Sequence, residues 1–222
     1  MTAQAQATIE QPVGVPVTFW SESENDETQM YRAGAYGLLA ALLRSSPTQE
    51  TLAHVADLGN VSAETDELAV AMSMLGLAAS HTDIAGIDDE YHALFIGLGR
   101  GELVPYGSWY LTGFLMEKPL GQLRDDLANL GYERSQSVHE PEDHIAALCE
   151  VMSLMISESV NAPAHTYSLT RQTEFFDAHI GPWAGQFFND LSEASSAVFY
   201  RSVGRFGAAV MQFEQQYLAM KV

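Results

Sequence analysis

Apolar residues in this chain recur at three- and four-residue intervals, and no stretch alternates at period two through β-branched residues. That rhythm confines the chain to helices that each bury one face. The spacing predicts an all-α fold, a multi-helix bundle of about ten helices in two subdomains joined by a hinge. Tyr31, Ala35, Leu38, Leu39, Leu42 and Leu43 form the first stripe, which Ser45, Ser46 and Pro47 bring to an end. Pro47 is expected to open the next helix behind a Ser46 cap, with Leu52, Val55 and Leu58 inward and Gly59 as its stop. A third helix is expected over residues 62–80, a loop at 83–86 and a fourth helix over 87–96. Gly97, Gly99 and Gly101 then break the regularity, and Pro105-Tyr106-Gly107 extends the loop before a short aromatic segment that begins at Ser108. Pro119 suits the first turn of a further helix, striped by Leu120, Leu123, Leu127 and Leu130 and ended by Gly131.

Residues 1–27 carry acids, no base and no clear period, and are read as an acidic mobile N-terminal tail. Residues 28–131 make the N-terminal helical subdomain, the polar and aperiodic stretch 132–144 the hinge, and 145–222 the C-terminal helical subdomain. Pro141 is expected to start a helix striped by Ile145, Leu148, Cys149, Met152, Met155 and Ile156. Three more periodic runs pass through Phe176 and Ile180, through Trp183, Phe187 and Leu191, and through Val203, Phe206, Val210, Phe213 and Tyr217.

Charge narrows the partners. Against 29 Asp plus Glu stand 10 Lys plus Arg, a formal net charge of −19, whose field repels nucleic acid and anionic membrane surfaces. The same acidity fits either a cationic partner or a purely solubilising role. Cys149 is the single cysteine, so no internal disulfide forms and a reduced, cytoplasmic setting is the default expectation. No apolar run approaches the roughly 18 residues of a membrane span. Arg32 is the first base, so Val13–Trp20 lacks the positive flank of a signal peptide. Phosphate-loop, nucleophile-elbow, zinc-helix and paired-cysteine motifs are all missing, and no catalytic, cofactor-binding or metal-binding residue is assigned.

Two clusters stand out. His139-Glu140-Pro141-Glu142-Asp143-His144 holds two histidines and three carboxylates, the raw material of a metal site or an acid–base pair. Adjacent residues at a helix start diverge by about 100°, which favours a plainer role, with Glu142 and Asp143 meeting the positive end of a helix begun by Pro141. That role leaves His144 unexplained. In the second cluster, Tyr91, Leu94 and Phe95 share one helical face, which suits a core and a peptide groove equally.

Together, Tyr91-x-x-Leu94-Phe95-x-Gly97, Pro105-x-x-Ser108-x-Tyr110 and Glu140-Pro141-x-Asp143-His144 resemble the TorD/DmsD family of redox-enzyme maturation chaperones, as does the later Phe175-Phe176-x-x-His179-x-x-Pro182-Trp183. The resemblance covers residues 30–215 and implies a cytoplasmic, all-helical protein, monomer or domain-swapped homodimer. It implies binding of the twin-arginine leader and the apo-form of a molybdenum-cofactor oxidoreductase, with export delayed until the cofactor is in place. The chaperone itself is expected to hold no cofactor. The peptide-binding residues it implies are Tyr91, Leu94, Phe95, Trp109, Asp143 and His144, flanked by Pro105, Ser108, Tyr110 and Glu140. Exposed ion pairs supply about 0.2–1 kcal/mol each, whereas a micromolar complex needs about 8 kcal/mol. Affinity is therefore expected mainly from Tyr91, Leu94, Phe95 and Trp109, and orientation from Asp143 and Glu140. Two alternatives are a helical interaction scaffold without leader dependence and a metal-dependent hydrolase using the His139–His144 cluster.

Overall fold

A computed structural model describes residues 22–59, 66–97, 100–135, 138–161 and 167–221, and among them places ten α-helices and no β-strand. The helices are α1 (Glu22–Arg44), α2 (Gln49–Leu58), α3 (Glu67–Ser80), α4 (Ile84–Tyr91), α5 (Gly107–Thr112), α6 (Lys118–Leu130), α7 (Ile145–Asn161), α8 (Leu169–His179), α9 (Ala184–Glu193) and α10 (Phe199–Lys221). The stripes fall where periodicity put them except at Tyr31, expected on the inward face of the first helix but exposed on α1, where the chain at that level is covered instead through Gln29, Arg32 and Ala33; caps account for the shifted ends. The first helix starts at Glu22, within the stretch expected to be a tail; residues 1–21 lie outside the described residues. Thr48, not Ser46, caps α2, its hydroxyl accepting the Thr51 N–H at 3.2 Å, so Pro47 precedes the helix. The expected start of the third helix at 62 lies outside the described residues. The expected loop at 83–86 is instead the first turn of α4, because the Asp83 carboxylate accepts the Gly86 N–H at 2.8 Å. From His92 to Ile96 the helix widens to π geometry and stops at Gly97, whose φ of +59° strains any side chain.

Packing follows the stripes into one core. The longest contact runs between α1 and α7; α9 and α3 both pack against α10, and α2 covers α3. Tyr36, Leu39, Met152, Ile156, Phe187 and Phe206 are buried in the shared cluster. Gly207 permits the close approach of α9 to α10, where a Cβ would stand 2.1 Å from the Phe188 ring. Among the described residues no single helix is long and apolar enough to cross a membrane; α3 and the α4–π segment reach that length only together, across a 116° bend.

Polar groups pin the bundle from within. Arg32 of α1 pairs with Glu214 of α10 at 2.5 and 2.8 Å in a site where both side chains are buried, and Gln172 of α8 joins at 3.0 Å. Glu90 of α4 reaches across to the start of α10, accepting the N–H groups of Val198 (2.7 Å), Phe199 (3.0 Å) and Tyr200 (2.7 Å). These are donors that a helix start cannot satisfy internally. Glu102 does the same for Ser195 and Ser196 just before it. Replacing Glu90 by Ala leaves three donors without their acceptor. It is expected to lower stability by about 2 kcal/mol or more, read as a lower urea midpoint at unchanged slope; an unshifted midpoint would contradict this role.

Candidate functional site

Tyr106, just before α5, and His144, just before α7, meet in an isolated antiparallel bridge that forms a short clasp between the starts of the two helices. Ile145 N–H donates to the Pro105 carbonyl and Gly107 N–H to the Asp143 carbonyl, both at 2.9 Å. The buried Asp143 Oδ2 then accepts the Ser108 N–H at 2.8 Å, capping α5 from a position 35 residues away. Its Oδ1 is buried with no hydrogen-bond partner, an acceptor still unused. This corrects the expectation that Pro141 starts a helix and that Glu142 and Asp143 serve its dipole. The helix starts at Ile145, and the carboxylate of Asp143 serves α5 instead.

Beside the clasp the Tyr106 hydroxyl donates to the Glu140 carboxylate, and its ring meets His144 edge-on at 5.0 Å. Burial first, then the bond to Glu140, pushes the Tyr106 hydroxyl far above the ordinary phenol range. His144 Nδ1 accepts the Ala146 N–H at 3.1 Å, which leaves the ring proton on Nε2. Burial pushes His144 down to about 4, despite the nearby charges of Glu140 and Asp143, so the ring is neutral at pH 7.

Glu140, His144 and Ala146 border a cavity of about 350 Å³ between residues 132–135 and 138–142, α7 and the end of α1. Leu127, Tyr132, Val138, Pro141, Val151 and Leu154 give it an apolar wall; Glu133, Glu140, Glu142 and Glu150 supply carboxylates, and His144 also lines it. Arg124 holds Glu142 at 2.8 and 2.9 Å, Arg134 approaches it at 3.4 Å, and Arg44 pairs with Glu150. Burial works to raise the Glu142 carboxyl, but the Arg124 bond and the two guanidinium charges outweigh it and hold it below the ordinary carboxylate range. A cavity of about 460 Å³ between α6 and α8 is more polar, with Asp126 bonded to His179 at 2.8 Å. A third of about 110 Å³ lies by Ser108, Asp143 and Trp183.

Of the ten residues assigned to peptide binding, the clasp brings together Pro105, Ser108, Asp143 and His144, with Glu140 at the cavity edge. Tyr91 and Leu94 are core residues: Leu94 is fully buried, and Tyr91 donates to the Arg44 carbonyl at 3.1 Å while its ring packs on Phe95 and Tyr200. They therefore present no open apolar face in this conformation. Trp109 is half-buried under the Arg100 guanidinium, and Tyr110 donates to Asp190 at 2.9 Å on the side facing α9. His139 is exposed while His144 is buried, and among the described residues no group of three or more His, Cys, Asp or Glu side chains converges to hold a metal. Tyr106, Arg124, Arg134, Val151 and Leu154 were not assigned. Ala147, Val151 and Leu154 do form a second stripe at helical spacing on α7, the signal that could have found this wall.

An all-helical body with an apolar cavity edged by carboxylates has the build of a peptide- or protein-binding molecule. The chain belongs to the nitrate reductase delta subunit family, whose profile matches residues 58–189. Curated relatives include the chaperone protein TorD of Aliivibrio salmonicida, 23% identical over 203 residues, 85% of this chain and 94% of the relative. That of Vibrio cholerae is 26% identical over 184 residues, 80% of this chain and 82% of the relative. They are named for a chaperone role, not a catalytic one. A crystal structure from Archaeoglobus fulgidus, of a protein assigned to redox enzyme maturation, shares the fold with a TM-score of 0.52 at 16% identity, covering 88% of this chain and 98% of that one.

The depressed His144 yields a pH signature. Unfolded, the ring takes its proton near 6.5, whereas the buried ring refuses it until about 4. Its stabilising share is complete above pH 6.5 and is lost as the pH falls to about 4, about 3 kcal/mol in all. Urea denaturation between pH 7 and pH 4 should show wild type losing more stability than His144→Gln; parallel losses would contradict the assignment.

Proposed function

We propose that this protein is a cytoplasmic chaperone that binds the twin-arginine leader and the apo-form of a molybdenum-cofactor oxidoreductase, assists cofactor insertion and delays export until maturation. The observation that carries the reading is the cavity beside the Tyr106–His144 clasp, where an apolar wall lies against carboxylates in a chain of net charge −19. A leader of this class joins two positive charges to a short apolar stretch, and its receptor needs both kinds of surface. The TorD chaperone relatives, together with the structural neighbour assigned to redox enzyme maturation, support the client class.

Affinity in this reading comes from the apolar wall, Val138, Pro141, Val151 and Leu154, since each well-buried aliphatic group contributes about 1.5–3 kcal/mol and each exposed ion pair about 0.2–1. Glu140 and the acidic field orient the arginines and speed encounter. Asp143, Ser108 and Pro105 fix the shape, and His144 Nε2 is a donor for a leader carbonyl. Tyr91 acts from behind, its hydroxyl holding the end of α1 through the Arg44 carbonyl, with Leu94 and Phe95 packed in or against the core. Trp109 and Tyr110, both half-buried, extend the surface along α5.

Segment 132–144 is the hinge of this proposal. Pairs α1–α7 and α3–α10 each join elements from opposite sides of it. Exchange of everything beyond the hinge between two copies would remake the same contacts, which supports either a monomer or a domain-swapped homodimer.

Fluorescence anisotropy with a labelled twin-arginine leader peptide tests the site. Leu154 is 42% exposed, so Leu154→Asp spares the core. It is expected to weaken binding by about tenfold, the worth of one partly buried aliphatic contact. Binding unaffected by Leu154→Asp would move the leader elsewhere, and capture of the partner regardless of its leader would favour a scaffold.

A further inference from the structure

Glu142 is the one carboxylate of the cavity gripped by two guanidinium groups from different elements among the described residues. Arg124 reaches Oε2 from α6 through Nε (2.9 Å) and Nη2 (2.8 Å), and Arg134 faces Oε1 from the 132–144 segment at 3.4 Å. Resting on the leader-binding reading above, we infer that Arg124 and Arg134 are an internal stand-in for the leader's arginine pair, displaced from Glu142 when the leader binds.

Three features of the geometry carry this. The Glu142 side chain is only 14% exposed, whereas those of Arg124 and Arg134 are 52% and 40% exposed. The acceptor is thus fixed in the site while both donors can swing into water. Arg124 bonds Oε2 through Nε and brings Nη2 to 2.8 Å of the same oxygen, so one edge of a guanidinium occupies that oxygen and an incoming arginine can present the same edge. The exchange swaps like for like, so Glu142 never has to be left bare, which would be the costly state for a sheltered charge.

Arg134 also donates to the carbonyls of His139 (3.4 Å) and Glu140 (3.3 Å), so it fastens the hinge segment as well as the carboxylate. Displacement therefore loosens residues 138–140 as the leader arrives. That couples occupancy of the cavity to freedom of the hinge, a coupling that an unoccupied Glu142 could not produce.

The test measures binding of a labelled twin-arginine leader peptide, and of the same peptide with its arginine pair changed to lysines, to the full chain and its variants. Arg124→Gln and Arg134→Gln each remove one competitor while keeping a donor. Arg201→Gln and Arg205→Gln, exposed on α10, report the effect of one lost positive charge at a distance. The inference predicts that each competitor variant binds the arginine peptide about two- to fivefold tighter than wild type, the worth of one exposed ion pair. The double variant should gain more than either, the lysine peptide should gain less, and the α10 controls should hardly change. Hydrogen exchange should show wild-type residues 138–140 opening on peptide addition. Competitor variants that bind the arginine peptide no tighter than the α10 controls do overturn the inference alone, provided the urea midpoints show the variants folded. Should a variant fold poorly, closed 138–140 amides in peptide-bound wild type overturn it instead. Absence of binding by every protein overturns the leader reading and the inference with it.

Discussion

The Asp143 carboxylate is the point on which the site depends. By accepting the Ser108 N–H it fixes the start of α5 to the start of α7, and the backbone pairing on either side of it aligns Pro105 with Ile145. Tyr106 is thereby set against His144 and within reach of Glu140, and the segment before Asp143 closes over α7 to leave the cavity. A buried carboxylate with one oxygen bonded and the other unpartnered is costly in a low-dielectric interior. Its neighbours must hold it there, which they do through four backbone groups and not through a countercharge.

Behind the clasp, carboxylates perform a second long-range task. Glu90 and Glu102 come from the two ends of the π-turn and glycine loop, and both cap the turn that leads into α10. The aromatic face of α4 is consequently drawn inward against Tyr200, which explains why Tyr91 is part of the core. The segment thus supports the cavity through the backbone it positions: the Tyr91 hydroxyl holds the Arg44 carbonyl, and the Arg44 side chain lines the cavity.

Helix number and packing faces were legible because burial imposes period 3.6 on the apolar residues, and Leu39, Leu123 or Phe187 obey it wherever the helix ends. Helix starts were less so. Thr48, Asp83 and Asp143 are all capable caps in sequence, but which N–H each takes depends on local geometry or, for Asp143, on a partner 35 residues away. Glu90 could not be read at all, since the donors it satisfies lie 108 to 110 residues on. At the site, Asp143 and His144 stood out in the sequence as a pair, and the structure sets them against the Pro105–Ser108 element. The Tyr91-Leu94-Phe95 face was ambiguous in principle, because a stripe facing a core and a stripe facing a groove have the same period. The Val151–Leu154 wall was present as a second stripe on α7, masked by the stronger Ile145–Ile156 stripe on the opposite face.

The central claim is that the cavity beside the clasp, and not the polar cleft between α6 and α8, receives a basic, apolar peptide. Photo-crosslinking with a twin-arginine leader peptide that carries a photoreactive apolar residue just after its arginines, followed by mass mapping, tests this most directly. Crosslinks concentrated on residues 138–154 are the predicted result. Crosslinks on Ser168 to His179, or spread without preference over the surface, would contradict it.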